Sequence, residues 1–302
     1  MNGKISNFNQ VASVRRYKFF EGKEEGIEVI DCNNGKISFL LNVTKALDIM
    51  QLYHEGMNVS FISKNGFTKR ELPFPKRFEG GMLYTCGLDS LANRERFELH
   101  GTFHNIPAKI VRCDCNEGGI FIEALIQDTA LFGKNLIMKR CVSCSVGSNV
   151  LNIVDTLINC GYKQEDYCLL YHFNIGYPML DENSEIVADV ISNESRTKWS
   201  EKFKDDYKLI TADVPNQEEM CYFLKLKSPK ISLVNHNINK QFTLEYSNDT
   251  LPCVLEWKSM ASGDYALGFE PSTSFLDEKF EFKQIEPNER IRFSFKITVE
   301  NI

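Results

Sequence analysis

The stretch Arg292-Phe293-Ser294-Phe295-Lys296-Ile297-Thr298-Val299 alternates polar and apolar residues without a break. A period of two puts every second side chain on one face, the signature of a strand buried on one side only. Lys36-Ile37-Ser38-Phe39-Leu40-Leu41 begins in the same way. Further strand-like runs lie at 26–31, 57–63, 96–103, 108–113, 119–127, 135–144, 148–157, 166–174, 185–191, 207–212, 220–227, 231–235, 241–247, 253–258 and 265–270. Most are bounded by Gly, Asn, Asp or Pro, which turn the chain between strands. Helical signals are sparse: Thr44 to Gly56 has room for one short turn of helix, and 194–205 for another. Strands in succession without intervening helices imply an antiparallel sandwich or barrel, so the expected class is all-β. No fixed-period repeat is present, which disfavours a propeller. The polar stretch Asp181 to Asp206 reads as a surface excursion, because strand patterning resumes on both sides. The chain is therefore expected to be a single domain over residues 1–302.

Composition narrows the class. The 302 residues are 43% hydrophobic and 25% charged, enough to bury a core without metals or disulfides. The formal net charge is -6 and no long basic block exists, so nucleic acid is not an expected partner. The cluster Lys69, Arg70, Lys76 and Arg77 is interrupted by Glu71 and two prolines and reads as a solvated loop. No apolar run reaches the ~18 residues of a membrane span, and the polar start lacks a signal-peptide pattern, so no membrane partner and a cytoplasmic location are expected. The ten cysteines then read as reduced thiols.

Three segments carry side chains suited to chemistry. Glu98-Leu99-His100-Gly101-Thr102-Phe103-His104 and Leu170-Tyr171-His172-Phe173-Asn174-Ile175-Gly176 each set a histidine near the end of a strand-like run, where turns begin. Gly268-Phe269-Glu270-Pro271 ends an apolar run on a carboxylate that partial desolvation would make a usable base. Taken singly, a strand-end histidine is more often a hydrogen-bonded structural residue.

Together, in order and spacing, these segments resemble the galactose mutarotase-like (aldose 1-epimerase) superfamily. Phe78-Glu79-Gly80-Gly81-Met82-Leu83-Tyr84-Thr85-Cys86-Gly87-Leu88-Asp89, Leu131-Phe132-Gly133-Lys134-Asn135-Leu136 and Glu256-Trp257-Lys258 extend the resemblance to a poorly characterised aldose-epimerase branch, over roughly residues 25 to 299. The resemblance implies a large antiparallel β-sandwich of the supersandwich type with a sugar cleft on one sheet face, and an isomerase that interconverts sugar anomers by acid–base ring opening without a cofactor or metal. By position it assigns Glu270 as base, His172 as acid and His100 as a stabiliser of charge at the ring oxygen. His104, Asn174, Lys258, Asp89 and Arg77 become candidate hydroxyl binders, and Trp257 a candidate stacking surface. A small monosaccharide is the implied partner, and a homodimer is compatible with the reading.

Three other readings compete. His100, His104, His172 and Glu270 have the composition of a metal-dependent sugar isomerase site, if the two halves of the Gly-interrupted segment converge. Cys113, Cys115, Cys141 and Cys144 have the number for zinc, but residues three apart on a strand face opposite ways, so chance thiols fit better. The third is a sugar-binding protein without catalysis, which the same fold supports.

Overall fold

A computed structural model describes residues 3–91 and 98–302. Alternation becomes strand wherever a neighbour supplies the ladder. The first sheet pairs, in chain order, β1 (Ser13–Lys18), β2 (Glu28–Asn33), β3 (Ile37–Asn42), β4 (Asp48–His54) and β5 (Met57–Asn58). The rest of the chain contributes β6 (Leu83–Leu88), β7 (Lys109–Asn116), β8 (Gly119–Thr129), β9 (Asn135–Cys144), β10 (Val150–Asn159), β11 (Glu165–Ile175) and β12 (Glu185–Ser195). It continues through β13 (Met220–Asn235), β14 (Lys240–Tyr246), β15 (Cys253–Ala261), β16 (Asp264–Ser272), β17 (Lys283–Ile285) and β18 (Arg290–Asn301). These thirteen form one large sheet in the order β17-β11-β16-β15-β13-β14-β18-β10-β9-β8-β7, with β12 beside β13 and β6 beside β11.

The large sheet folds into two layers because β13 serves both. Its first residues, Met220 to Leu224, pair with β15, and its last, Lys230 to Asn235, pair with β14. Tyr171 and Phe173 of β11 then face Phe295 of β18, with ring centroids 4.4 and 5.2 Å apart. The alternating stretch that decides the fold thus supplies one wall of the sandwich core. The core is continuous from β2, β3 and β4 through both layers.

On β11 the neighbouring residues point the other way. Leu170 joins Tyr84, Cys86, Cys221 and Leu255 in a second apolar cluster on the outer face of the layer, and His172 shares that parity. One step along β11 therefore separates core from cleft.

Several expectations are corrected. Thr44 to Gly56 holds β4, not a helical turn, because Ala46 and Leu47 take positive φ (48° and 55°) and Glu55-Gly56 closes a hairpin onto β5. In 194–205 a short helix, α2 (Lys198–Lys202), does form, capped by the Thr197 side chain. Asp181 to Asp206 is not an excursion, since β12 runs through it, paired to both parts of β13. Of the expected strand at 96–103, residues 96 and 97 lie outside the described residues, and 103–105 form a turn of 3-10 helix. Arg77, expected in solvent, is buried at the end of a short helix, α1 (Phe74–Arg77). Cys141 lies on the opposite face of β9 from Cys144 and contacts Glu123, so it is directed away from the register of Cys115. Among the described residues no helix is long and apolar enough to cross a membrane.

The alternation of β9 and β10 has one conspicuous exception: Arg140 and Asp155, paired in register, both point into the core. The Arg140 guanidinium donates to both Asp155 oxygens, to Asp48, to the Ala46 carbonyl and to Thr85 Oγ1, at 2.5 to 3.2 Å. Tyr171 OH donates to Asp155 at 2.9 Å. Burial alone would raise the Asp48 carboxyl, but Arg140 and His104 hold it below the usual carboxylate range. Removing one partner of a buried pair strands the other's charge, at a cost of ~3–5 kcal/mol. Arg140→Ala should lower the unfolding free energy in urea by about that amount; a loss under ~1 kcal/mol would show the network to be dispensable.

Candidate functional site

On the outer face of the layer carrying β6, β11, β16 and β15 lies a cavity of about 270 Å³. Strand register explains who lines it. His172 lies opposite Tyr84 on β6, and on the next strands Glu270 lies opposite Leu255, and Gly268 opposite Trp257. Residues paired across a ladder share a face, so His172, Glu270 and Trp257 converge. Gly268 leaves the space they need: a Cβ there would lie 2.8 Å from His172 Cε1 and 2.9 Å from Glu270 Oε1.

His172 Nε2 and Glu270 Oε1 are 3.0 Å apart. The approach lacks hydrogen-bond alignment, so Glu270 Oε1 is left without a hydrogen-bond partner, as are His172 Nδ1 and His100 Nδ1. Buried polar atoms are normally paired, so three orphans around one cavity make it the candidate site.

His100 reaches the cavity from a turn, with its ring centroid 5.7 Å from that of His172 and 4.8 Å from Phe74. Its φ is +64°, a left-handed conformation unusual for a side-chain-bearing residue. The next residue must be glycine, because a Cβ at Gly101 would come within 2.4 Å of Asp89 Oδ1 and 2.5 Å of the Gly87 carbonyl. Asp89 accepts from Thr102 N and Oγ1, and Arg77 Nη2 donates to the Gly101 carbonyl at 3.1 Å. These contacts hold the His100 turn in place. Burial, followed by the nearby His172, Arg196 and Arg77, keeps the His100 imidazole well below its ordinary value, and thus neutral near pH 7.

The sequence reading missed two charged residues that line the cavity. Arg196 follows β12 directly, its backbone N–H donating to the Cys221 carbonyl at 2.9 Å. Glu219 precedes β13 and accepts from Trp257 Nε1 at 2.7 Å. The only signal for Arg196 was the Thr197 cap behind it; Glu219 had none.

The five expected hydroxyl binders do not line this cavity. His104 stacks on Tyr84 at 3.7 Å, with Nδ1 2.6 Å from Asp48 and Nε2 3.3 Å from Glu79. Asn174 donates to the Gly81 and His172 carbonyls. Lys258 donates to the Tyr207 and Leu209 carbonyls beside Glu256, whose carboxyl burial raises to about 7. Asp89 and Arg77 bind the turn described above; Arg77 also donates to the Leu72 carbonyl and pairs with Glu98. With His104 hydrogen-bonded to Asp48 through Nδ1 and outside the cavity, the four-residue metal arrangement does not assemble; among the described residues no three His, Cys, Asp or Glu side chains converge to hold a metal ion.

This architecture recurs in solved structures. A candidate aldose 1-epimerase from Klebsiella pneumoniae superposes with a TM-score of 0.85 at 19% identity, covering 95% of this chain and 83% of the other. A galactose mutarotase-like protein from Clostridium acetobutylicum superposes with a TM-score of 0.73 at 14% identity, covering 97% and 100%. The fold is therefore the galactose mutarotase-like β-sandwich. No curated protein matches in sequence. The chain belongs to the family described as "Domain of unknown function (DUF4432)", whose model matches residues 24–299.

The depressed His100 imidazole has a consequence for stability. Below about pH 6.5 the unfolded chain binds a proton that folded His100 refuses, so stability falls as pH drops, by ~1.4 kcal/mol per pH unit for one proton. His54, also held low by burial and then by Lys240, adds to the same slope. His100→Gln should keep the His54 part and lose the His100 part, so its urea midpoint should change less between about pH 7 and pH 5 than that of the native protein. Parallel pH dependences in the two proteins would contradict a neutral, buried His100.

Proposed function

We propose that this protein, folded as a single unit, binds a monosaccharide in this cavity and interconverts its anomers by acid–base ring opening. The observation that carries the proposal is the cluster of unpartnered polar atoms on His100, His172 and Glu270 in one cavity of about 270 Å³. That volume lies just under the ~300 Å³ at which drug-sized pockets begin, and suits a single sugar ring. Half-buried Trp257 and Phe78 supply apolar walls for the C–H faces of the ring, and Arg196 and Glu219 supply charged partners for hydroxyls.

The reaction needs a base at the anomeric hydroxyl and an acid at the ring oxygen. Both oxygens are bonded to C1, so acid and base must stand side by side, as the 3.0 Å between His172 and Glu270 allows. Glu270 takes the hydroxyl proton, and the O–H electron pair becomes the second C–O bond of the aldehyde. The C1–ring oxygen bond breaks, its electrons stay on the ring oxygen, and that oxygen takes the proton of His172. After rotation about C1–C2 the ring recloses on the other face with the proton roles reversed. Neutral His100 hydrogen-bonds the ring oxygen or a neighbouring hydroxyl. No cofactor enters any of these steps. Each positioned acid or base contributes ~10²–10⁴-fold.

Anomer exchange measured by NMR across a panel of aldoses tests the reading. At least one sugar should exchange faster with the protein than without it. Glu270→Gln and His172→Asn should each lower kcat by at least ~10²-fold with little change in sugar binding. The kcat/KM profile should be bell-shaped, its acidic limb lost with the base and its alkaline limb with the acid. Gly268→Ala should also lower turnover, because the added Cβ displaces both groups. Tight sugar binding without exchange would move the assignment to a non-catalytic sugar-binding protein.

A further inference from the structure

A second cavity, of about 370 Å³, adjoins the first and shares Phe74, Phe78 and Trp257 with it. These three rings line both cavities. The Phe78 carbonyl accepts from Ser63 Oγ at 2.6 Å and from Asn65 Nδ2 at 2.9 Å, which fixes its backbone beside them. Phe61 and Pro75 continue the apolar lining of the second cavity, and an ion pair between Lys64 and Asp264, 2.6 Å apart, lines it as well. Apolar walls with a donor and an acceptor side by side match one kind of ligand closely. A pyranose presents C–H faces to aromatic rings and vicinal hydroxyls at its edge, where an ammonium can donate and a carboxylate accept.

We propose that the second cavity is a subsite for a second sugar ring, so that the preferred substrate is the reducing end of a disaccharide. This rests on the anomer-exchange reading of the first cavity. That chemistry also limits what the second ring can be attached to. The anomeric hydroxyl must be free to react, so any extension has to leave the substrate from another hydroxyl, away from His172 and Glu270. The ion pair carries no net charge, which favours an uncharged ring over a phosphate or carboxylate group. Lys64 is exposed and Asp264 half-buried, so replacing them leaves the core intact.

The test compares reducing disaccharides (maltose, cellobiose, lactose) with their reducing-end monosaccharides by NMR anomer exchange. In the native protein one disaccharide should exceed its monosaccharide in kcat/KM by about tenfold. Lys64→Trp, which fills the subsite, and Asp264→Ala, which removes the acceptor, should abolish that advantage and leave the monosaccharide rate within about twofold. No disaccharide advantage in the native protein, or equal losses for both sugars in the variants, overturns the second subsite. If neither kind of sugar exchanges, the reaction assigned to the first cavity fails, and calorimetric binding decides the subsite by itself. Tighter binding of a disaccharide that Lys64→Trp abolishes sustains it; equal or absent binding overturns it.

Discussion

The structure depends on one buried guanidinium. Arg140 ties together the first sheet through Asp48 and the Ala46 carbonyl, the cleft-bearing layer through Thr85, and the opposite layer through Asp155. A buried charge is tolerable only when its donors are nearly all used, and the planar fork of arginine can satisfy several carboxylates and carbonyls at once, which lysine cannot. The network fixes where β6 lies, since Asp48 takes both the N–H and the hydroxyl of Thr85. The neighbour of Thr85, Tyr84, faces the other way and lies opposite His172. Core electrostatics on one side of β6 therefore set the position of the cleft wall on the other side.

The pleat explains how a protein with so continuous a core also keeps polar groups poised. On β11 the phenol of Tyr171 completes the Asp155 network, while the next residue, His172, meets Glu270 across the outer face. On β15 Trp257 lines the cavity, while Lys258, the next residue, is held by carbonyls elsewhere. Adjacent residues thus have unrelated roles, and a one-residue slip in register would exchange them.

That parity governs what could be read beforehand. Strands β8, β9, β10 and β18 were legible because their burial alternates almost without exception and most of their polar residues face outward. β4 was not, because its residues are buried on both sides and its pairing partners, not its own pattern, make it a strand. His100, His172 and Glu270 were singled out by the resemblance that their three segments carry together, whereas Lys258 could not be sorted, since a polar residue in a strand looks the same whichever face it takes; Asn174 shares the face of His172 but is held by carbonyls, and His104 lies in a 3-10 turn bound to Asp48. Arg196 and Glu219 sit at element ends that only the fold brings to the cavity, through the pairing of β12 and β15 with β13. Arg140 had no local sign either; it was one polar residue at an inward position of an otherwise regular strand.

The central claim is the proposal that the anomeric carbon of a sugar is held against the adjacent side chains of His172 and Glu270. A crystal structure of the Glu270→Gln variant soaked with an aldose that the native protein exchanges tests this most directly. The sugar ring should lie against Trp257, with its anomeric hydroxyl within hydrogen-bonding distance of the residue 270 side chain and its ring oxygen within reach of His172. A sugar bound with its anomeric carbon turned to solvent, or bound outside this cavity, would contradict that claim.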